Sequence, residues 1–324
     1  MYDVFGIGSP LLDAIVKIDD SHLAKLNLKK GQMHLVDADK SKKTFDMFKN
    51  DKVVFVPGGD VVNTMNGIAN LGGKAIFLGK IGVDNHGFII EETMKKDNVK
   101  TILIKGTDST GSCISFVTPD NERTFVTHLG AAVSLTEKEI VLKDIKNSKI
   151  LYVTGYFLEN PILRNICILA MNEAKKHNKQ IAIDVSDSGV VNRAKNEILN
   201  IIENYADITF ANEEEILALT GKTKEEGLFE LSKITNIAIV KIGKEGALIC
   251  ENKIIHKIKG FNVNAVDTTG AGDMFAAGFL FGLTNNYDVK TAGLIGNFVA
   301  SKVVQQLGGR VNISLKDEIK QLFK

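Results

Sequence analysis

The chain has 324 residues, of which 44% are hydrophobic and 24% are charged, a balance that is ordinary for a globular protein. A formal net charge of +1 gives no electrostatic reason to expect a nucleic-acid partner or binding to an anionic membrane surface. The three cysteines have no paired spacing, which argues against a disulfide framework or a metal cluster. The sequence shows no signal-like start and no apolar run near the roughly 20 residues that span a bilayer, so we expect a cytoplasmic protein.

The first part of the chain predicts short strands set around a few helices. A strand is predicted at residues 4–7, where Gly6 and Gly8 fail as a dinucleotide fingerprint because Leu11 stands at the third glycine position. Further strand-like pieces occur at residues 15–18, 33–36, 53–56, 101–105, 112–117 and 123–126, with a charged helical stretch at 41–49 and a turn at 119–121. We expect a small sheet from about residues 14–57 and 101–128 that forms a lid set apart from the main body.

Two polar residues near this region are candidates for ligand binding. Asp13 lies among apolar residues, where it is either a surface residue of an alternating strand or a partner for a ligand hydroxyl. Gly58 and Gly59 precede a helix with an apolar stripe, and Asn63 stands one turn above these glycines. The Asn63 amide is therefore either an ordinary surface group or part of a site built on the glycine loop.

From residue 150 onward, strands and helices alternate. Strands are predicted at residues 150–153, 181–185, 208–211 and 237–241, and one intervening helix has Asn160 as its N-cap and Pro161 at its first position. This alternation predicts a mostly parallel sheet covered by helices on both faces. A hairpin at residues 247–255 should add an antiparallel edge.

The glycine-rich turn at residues 266–278 carries the strongest chemical signal. Gly270 and Gly272 allow a sharp turn, and the helix that follows directs unpaired amides and the positive end of its dipole toward that turn. Such a turn suits phosphate, yet Asp273 stands directly inside it and would repel an anion. A carboxylate there is explained if it accepts a proton from a hydroxyl that attacks a bound phosphoryl group. The alternative is a simple turn with an acidic residue that favours the helix dipole.

Two further turns follow predicted strands, at the edge where open α/β sheets bind ligands. Asn212 and Glu215 begin a helix, either as a simple cap with dipole-favouring acids or as oxygen ligands for Mg²⁺. Gly243 and Gly246 form a turn after the next strand.

These motifs resemble those of the ribokinase-like (PfkB) family of carbohydrate and nucleoside kinases. The C-terminal signature is matched at Asp267, Gly270, Ala271, Gly272, Asp273, Ala277 and Gly278, and the N-terminal signature at Gly58, Gly59, Asn63, Gly79, Gly82 and Gly87. The resemblance implies a single ribokinase-like kinase domain over residues 1–324, a three-layer α/β/α fold with a mostly parallel central sheet plus a small β-sheet lid.

The resemblance also implies roles for individual residues. Asp273 would be the catalytic base, and the amides of Gly270, Ala271 and Gly272 would form an anion hole. The acceptor would be bound by Asp13, Gly58, Gly59 and Asn63, with Arg123 on the lid side neutralising the transferring phosphate or clamping the acceptor. ATP would be bound by Asn212, Gly243, Gly246, Thr268 and Asn297. Mg²⁺ would be held through water by Asn212 and Glu215.

Residues 8–13, 26–37, 122–124 and 129–132 look most like those of adenosine kinases, although Asp60, Val61 and Val62 depart from the small residues common in relatives. The expected activity is therefore transfer of the γ-phosphoryl group of ATP to the 5′-hydroxyl of a ribonucleoside, adenosine first. The alternatives are a sugar kinase acting on ribose, fructose or a 2-keto-3-deoxy sugar acid, and a non-catalytic nucleoside sensor. The resemblance leaves open K⁺ activation, with Asp267 and the backbone near Gly308 as contributors, and a monomer or a homodimer.

Overall fold

A computed structural model describes residues 1–48, 52–120 and 122–322 of the chain. The predicted helix end at residue 49 and the turn residue Asn121 lie outside these ranges. The strands are β1 Tyr2–Ile7, β2 Leu11–Lys17, β3 Met33–Leu35, β4 Val54–Gly58, β5 Ala75–Gly82, β6 Lys100–Gly106, β7 Thr110–Val117, β8 Arg123–Gly130, β9 Ser148–Thr154, β10 Gln180–Asp184, β11 Ile208–Asn212, β12 Ile237–Lys241, β13 Gly246–Glu251 and β14 Ile254–Lys259.

The helices connect these strands and cover the sheets. They are α1 Asp20–Lys25, α2 Ala38–Phe48, α3 Asp60–Asn70, α4 Asn85–Lys96, α5 Gly155–Glu159, α6 Pro161–Lys176, α7 Ser188–Tyr205, α8 Glu213–Thr220, α9 Lys224–Leu231, α10 Ala271–Thr284, α11 Val289–Val303 and α12 Lys316–Leu322. Within the described ranges, none of them has the length and apolar character needed to cross a bilayer.

The large sheet has nine strands in the order β14-β13-β12-β11-β10-β9-β1-β5-β6. The strands from β12 to β6 run parallel, whereas β13 and β14 form an antiparallel hairpin at one edge. Both features confirm the predictions from the strand–helix alternation and from the hairpin pattern.

Both faces of the large sheet are buried, because successive residues of each strand point to opposite sides. In β9, Leu151 and Val153 join the core formed with α5, α6, α7, α8 and α9. Ile150 and Tyr152 join the opposite core, formed with α3, α4, α10 and α11. The predicted three-layer α/β/α arrangement is therefore confirmed.

The small sheet has five strands in the order β3-β8-β7-β2-β4 and its own apolar core, which includes Val16, Phe48 and Phe116. The assignment of residues 101–105 to this sheet was wrong. They lie in β6, which pairs with β5 at the edge of the large sheet, with Phe77 opposite Thr101. The physical reason is that α4 connects β5 to β6, and such a crossover returns the chain as a neighbouring parallel strand.

The parallel order brings the carboxyl ends of several strands to one edge of the large sheet. These ends carry Thr154 in β9, Asp184 in β10, Asn212 in β11 and Lys241 in β12. The small sheet starts at the same edge, since β2 follows β1 after only Gly8, Ser9 and Pro10. This edge is where a ligand site is expected in an open α/β sheet.

Helices α10 and α11 approach each other closely at Gly278. A Cβ at this position would lie 2.8 Å from the Cα of Gly296, so Gly278→Ala must push the two backbones apart. We expect a net loss of about 1–2 kcal/mol in the free energy of unfolding, because the overpacking outweighs the better helix propensity of alanine. Urea unfolding measures this. The control Lys290→Ala, at an exposed position of α11, should change stability by less than about 0.5 kcal/mol; equal effects of the two variants would contradict the packing argument.

Candidate active site

A buried ion pair lies at the carboxyl edge of the large sheet. The Nζ of Lys241 is 2.9 Å from Oδ2 of Asp184, at the ends of β12 and β10. Lys241 also approaches the glycine-rich turn, since a Cβ on Gly272 would lie 3.1 Å from its Nζ. Sequence analysis did not identify Lys241 or Asp184 as site residues. The available signal was their position, because Lys241 ends one predicted parallel strand and Asp184 lies one residue before the end of another.

The glycine-rich turn is fixed by its own backbone and by residues near the end of the chain. Gly270 has a left-handed conformation with φ of +72°, and a Cβ there would lie 2.4 Å from the carbonyl oxygen of Gly309. The Met274 amide donates to the Gly270 carbonyl at 2.8 Å, and the Ala271 amide donates to Thr268 at 3.2 Å. The Ala271 amide is therefore partnered within the turn, while Gly272 and Asp273 occupy the first helical turn, where amides lack intrahelical acceptors.

Asp273 lies next to Asn63, which donates from Nδ2 to Oδ2 of Asp273 at 2.9 Å. This hydrogen bond joins the helix of the N-terminal signature, α3, to that of the C-terminal signature, α10. Burial and the nearby carboxylate of Asp60 raise the pKa of Asp273 to about 8. The carboxylate is therefore a far stronger base than an ordinary aspartate, with a pKa close to neutral pH.

Asp60 adds a second acid to this group. Its Oδ1 accepts a hydrogen bond from the Val61 amide at 2.7 Å, and the Thr154 hydroxyl lies close enough to the buried carboxylate to act against the rise of its pKa. Burial raises the pKa of Asp60 to about 6. Together with Asp184 and Asp273, it leaves this part of the site with more acids than Lys241 alone can balance.

Asp13 lies against the glycine loop that begins α3. A Cβ on Gly58 would lie 2.2 Å from Oδ2 of Asp13, so only glycine permits this approach. Gly59 has φ of +99°, and a Cβ there would lie 2.2 Å from the Ser9 carbonyl oxygen. Burial raises the pKa of Asp13 to about 7, while the positive charges of Arg310 and Arg123 act in the opposite direction.

Arg123 extends from the small sheet to the glycine-rich turn. Its Nη2 forms a buried ion pair with Asp267, and its Nη1 donates to the Ser115 hydroxyl at 2.7 Å. Asp267 also accepts hydrogen bonds from the Gly308 amide at 2.7 Å and the Thr269 amide at 2.9 Å. The guanidinium therefore connects the small sheet to the turn, and its charge is compensated by Asp267.

A cavity of about 940 Å³ opens beside the turn, and Asp13 is not among its lining residues. Its lining includes Gly243, Gly246, Thr268, Ala271, Gly272, Asn297, Lys241, Phe261, Phe275 and Val304. It thus brings together four of the residues predicted to bind ATP. Asn297 is already engaged, because its Nδ2 donates to the carbonyls of Ile258 at 3.1 Å and Lys259 at 3.2 Å. Aromatic and aliphatic walls near a glycine turn suit a ligand with a flat apolar part and an anionic part.

Asn212 and Glu215 form a closed capping arrangement at the start of α8. The Glu215 amide donates to Oδ1 of Asn212 at 2.8 Å, and Asn212 donates from its backbone amide at 2.7 Å and from Nδ2 at 2.6 Å to the Glu215 carboxylate. Glu215 is only 2% exposed, and burial raises its pKa to about 7. These contacts are those of the simple helix cap, so a role for the two residues in binding Mg²⁺ stays a prediction.

In the part of the chain that the structure describes, no three His, Cys, Asp or Glu side chains converge as a metal cage. The Asp60 carboxylate and the surplus of acids nevertheless provide hard oxygen donors and negative charge. That donor set fits Mg²⁺ held mainly by water and by substrate phosphates.

Comparison with known proteins identifies the family and the fold. The sequence profile of the pfkB family of carbohydrate kinases matches residues 24–315. The structure of adenosine kinase from Sinorhizobium meliloti is 32% identical, with a TM-score of 0.93 and coverage of 99% of both chains. A probable sugar kinase from Rhizobium etli CFN 42 is 31% identical, with a TM-score of 0.94 and coverage of 99% of this chain and 98% of that one.

Among characterised sequences, adenosine kinase from Saccharomyces cerevisiae is 28% identical over 327 residues, covering 93% of this chain and 94% of that protein. These matches confirm the predicted family and the ribokinase-like α/β fold. They include both adenosine and sugar kinases, so they support a kinase without selecting its acceptor.

Removing one partner of the buried Arg123–Asp267 pair should destabilise the protein strongly, because the two side chains are only 9% and 2% exposed. Arg123→Met leaves the Asp267 carboxylate buried without its counter-charge, which should lower the free energy of unfolding by about 3–5 kcal/mol. The control Lys105→Met breaks the ion pair with Glu91, whose side chains are 46% and 38% exposed, and should cost at most about 1 kcal/mol. Urea unfolding compares the two variants. Similar losses would show that the buried pair has no special role.

Proposed function

Because the chain belongs to the pfkB family of carbohydrate kinases, we propose that it transfers the γ-phosphoryl group of ATP to the 5′-hydroxyl of a ribonucleoside, with adenosine as the preferred acceptor. Kinases of this family are phosphotransferases that use alcohol groups as acceptors. The observation that carries the proposal is the position of Asp273. It lies at the first turn of α10, is hydrogen-bonded to Asn63 of the predicted acceptor site, and is next in sequence to Gly272 of the large cavity.

Asp273 is suited to act as the base. As the hydroxyl oxygen of the acceptor bonds to the γ-phosphorus, its proton passes to the Asp273 carboxylate, and the bond from the γ-phosphorus to the leaving oxygen of ADP breaks. The raised pKa of Asp273 matches this task, since general bases work best with a pKa near the operating pH. Asn63 holds the carboxylate in place through its 2.9 Å hydrogen bond.

On the ATP side of the site, phosphoryl transfer needs positive charge near the phosphates. The first-turn amides of α10 and the ammonium of Lys241 supply it next to the cavity that we assign to ATP. Mg²⁺, held through water by Asn212 and Glu215 and drawn by the nearby acids, would neutralise phosphate charge when bound. Activation by K⁺ stays a prediction.

The acceptor side is formed by both sheets. Asp13 from the small sheet would accept hydrogen bonds from the ribose 2′- and 3′-hydroxyls, while Gly58, Gly59 and Asn63 would contact the rest of the sugar. The small sheet carries both Asp13 and Arg123, so we propose that it covers the acceptor during transfer and excludes water. The similarity to two adenosine kinases supports a nucleoside as the acceptor.

A sugar kinase is the second candidate. The probable sugar kinase from Rhizobium etli is as similar in structure to this chain as the Sinorhizobium meliloti adenosine kinase. Asp60 bears instead on which nucleoside is bound, because an added acid at the start of α3 makes guanosine, inosine or cytidine credible acceptors in place of adenosine.

Replacing Asp273 tests the mechanism. Asp273→Asn keeps the size and polarity of the side chain but removes the base, so kcat should fall ~10²- to 10⁴-fold while KM changes little. A matched control is Asp288→Asn, because Asp288 caps α11 and asparagine caps helices equally well. A coupled assay of ADP release measures both variants. Near-normal turnover by Asp273→Asn would refute the role assigned to this residue.

The acceptor itself is tested by a screen of nucleosides and sugars in the same assay. Adenosine should be used well and 2′-deoxyadenosine about 10- to 150-fold less efficiently in kcat/KM, because Asp13 loses a charge-assisted hydrogen bond of about 1.5–3 kcal/mol. This difference should vanish in Asp13→Ala. If ribose, fructose or a 2-keto-3-deoxy sugar acid gives a higher kcat/KM than every nucleoside, the nucleoside assignment is wrong and the sugar kinase replaces it.

A further inference from the structure

Arg310 lies at the centre of a buried polar network beside the proposed acceptor site. Its side chain follows Gly308 and Gly309, and the residue is 9% exposed. The Nε donates to Oδ1 of Asn63 at 3.1 Å, and Nη1 contacts Oδ2 of Asp97 at 3.4 Å. Asn66 donates to the same Asp97 oxygen at 2.7 Å, which fixes the carboxylate on its other side. The guanidinium therefore bridges α3 and the residue that follows α4.

The contact with Arg310 determines how the Asn63 amide is oriented. A guanidinium can only donate hydrogen bonds, so the amide must present its oxygen to Arg310. Its NH₂ group then faces Asp273, to which it donates at 2.9 Å. A flipped amide would direct its oxygen at the carboxylate and its NH₂ group at the guanidinium, and both contacts would be repulsive. Gly309 closes this space, since a Cβ there would lie 2.8 Å from Nδ2 of Asn63.

Arg310 also supplies positive charge to a region rich in acids. Burial lowers the pKa of Arg310 to about 10, so it stays charged at neutral pH. Its charge acts on the carboxylates of Asp97, Asp13 and Asp273. No described residue accepts a hydrogen bond from its buried Nη2, so both N–H groups of that nitrogen have no partner among the described residues. The ionisable groups that act on Asp273 are Asp60 from α3, Asp184 from β10, Lys241 from β12, Tyr152 from β9, Tyr156 from α5 and Arg310.

We propose that Arg310 is a positioning residue of the acceptor site, which orients the Asn63 amide toward Asp273 and offsets the acids around that carboxylate. The inference rests on the proposed function, because that function assigns Asp273 as the base. Arg310 would act in two ways. The several N–H groups of its planar guanidinium contact Asn63 and Asp97 at the same time, whereas its positive charge acts on the carboxylates over a longer range.

Two substitutions separate these effects. Arg310→Lys keeps the positive charge but loses the planar guanidinium that contacts two partners, and Arg310→Met loses both the charge and the guanidinium. With the best acceptor of the screen, both variants should lose about 10- to 100-fold in kcat/KM, because the base and its partner are no longer held in a productive geometry.

Removing the cation raises the pKa of Asp273, so the acid limb of the kcat/KM profile should move to higher pH in Arg310→Met. It should stay near the wild-type position in Arg310→Lys. The control Arg193→Met, at a half-exposed arginine paired with Glu159, should change neither quantity.

A double-mutant cycle tests whether Arg310 acts through Asn63. When Asn63→Ala is already present, Arg310→Lys should cause little further loss of kcat/KM. Full activity of Arg310→Lys, or an additive loss in the cycle, would overturn the orienting role. An unshifted pH profile in Arg310→Met would overturn the electrostatic role.

The same cycle, followed by the urea midpoint of unfolding, does not depend on catalysis. Its midpoint shifts should be non-additive if the Arg310–Asn63 contact exists, and additive shifts would overturn it. A wild-type enzyme without activity on any acceptor, combined with non-additive shifts, would refute the proposed function and the catalytic half of this inference but support the contact itself.

Discussion

The hydrogen bond between Asn63 and Asp273 connects the two halves of the site, from residues that are 210 positions apart in the chain. It requires that α3 and α10 pack side by side against the same face of the large sheet. Gly67 makes this approach possible, since a Cβ there would lie 2.6 Å from the Cβ of Ala277. The predicted acceptor residues at the start of α3 and the glycine-rich turn before α10 are thereby held at one edge of the large sheet.

This arrangement concentrates charge that must be balanced within the protein. Asp13, Asp60, Asp184, Glu215 and Asp273 lie near the carboxyl edge of the sheet, and burial raises the pKa of four of them. Lys241 balances the acids on the side of the large cavity, while Arg310 and Arg123 do so on the side of the small sheet. Burial alone would lower the pKa of Lys241, but the carboxylates of Asp184 and Glu215 hold this pKa above its ordinary value. Phosphoryl transfer uses such a site well, because it needs a base close to groups that stabilise phosphate charge.

The sequence could predict those features that are encoded locally or by a short motif. The strand–helix alternation after residue 150, the hairpin and the turn around Gly270 all depend on neighbouring residues. The assignment of residues 101–105 failed because a short alternating strand fits either sheet, and only the crossover through α4 decides between them. Lys241 and Arg310 were missed because their partners, Asp184 and Asn63, are 57 and 247 positions away. Such pairs become visible only when the order of the strands is known.

The residues proposed to act on the phosphoryl group do not explain the choice of acceptor. In the proposed mechanism, Asp273 acts on the attacking hydroxyl, which nucleosides and sugars have in common, whereas the turn before α10 and Lys241 act on the phosphates of ATP. Selection must therefore come from the rest of the acceptor side, which is built by the small sheet and the start of α3. Asp13 is suited to a diol, which ribonucleosides and many sugars carry. Asp60, which with Val61 and Val62 departs from the expected family pattern, adds a buried carboxylate at the start of α3, so the choice of acceptor depends on this region and not on the phosphoryl-transfer residues.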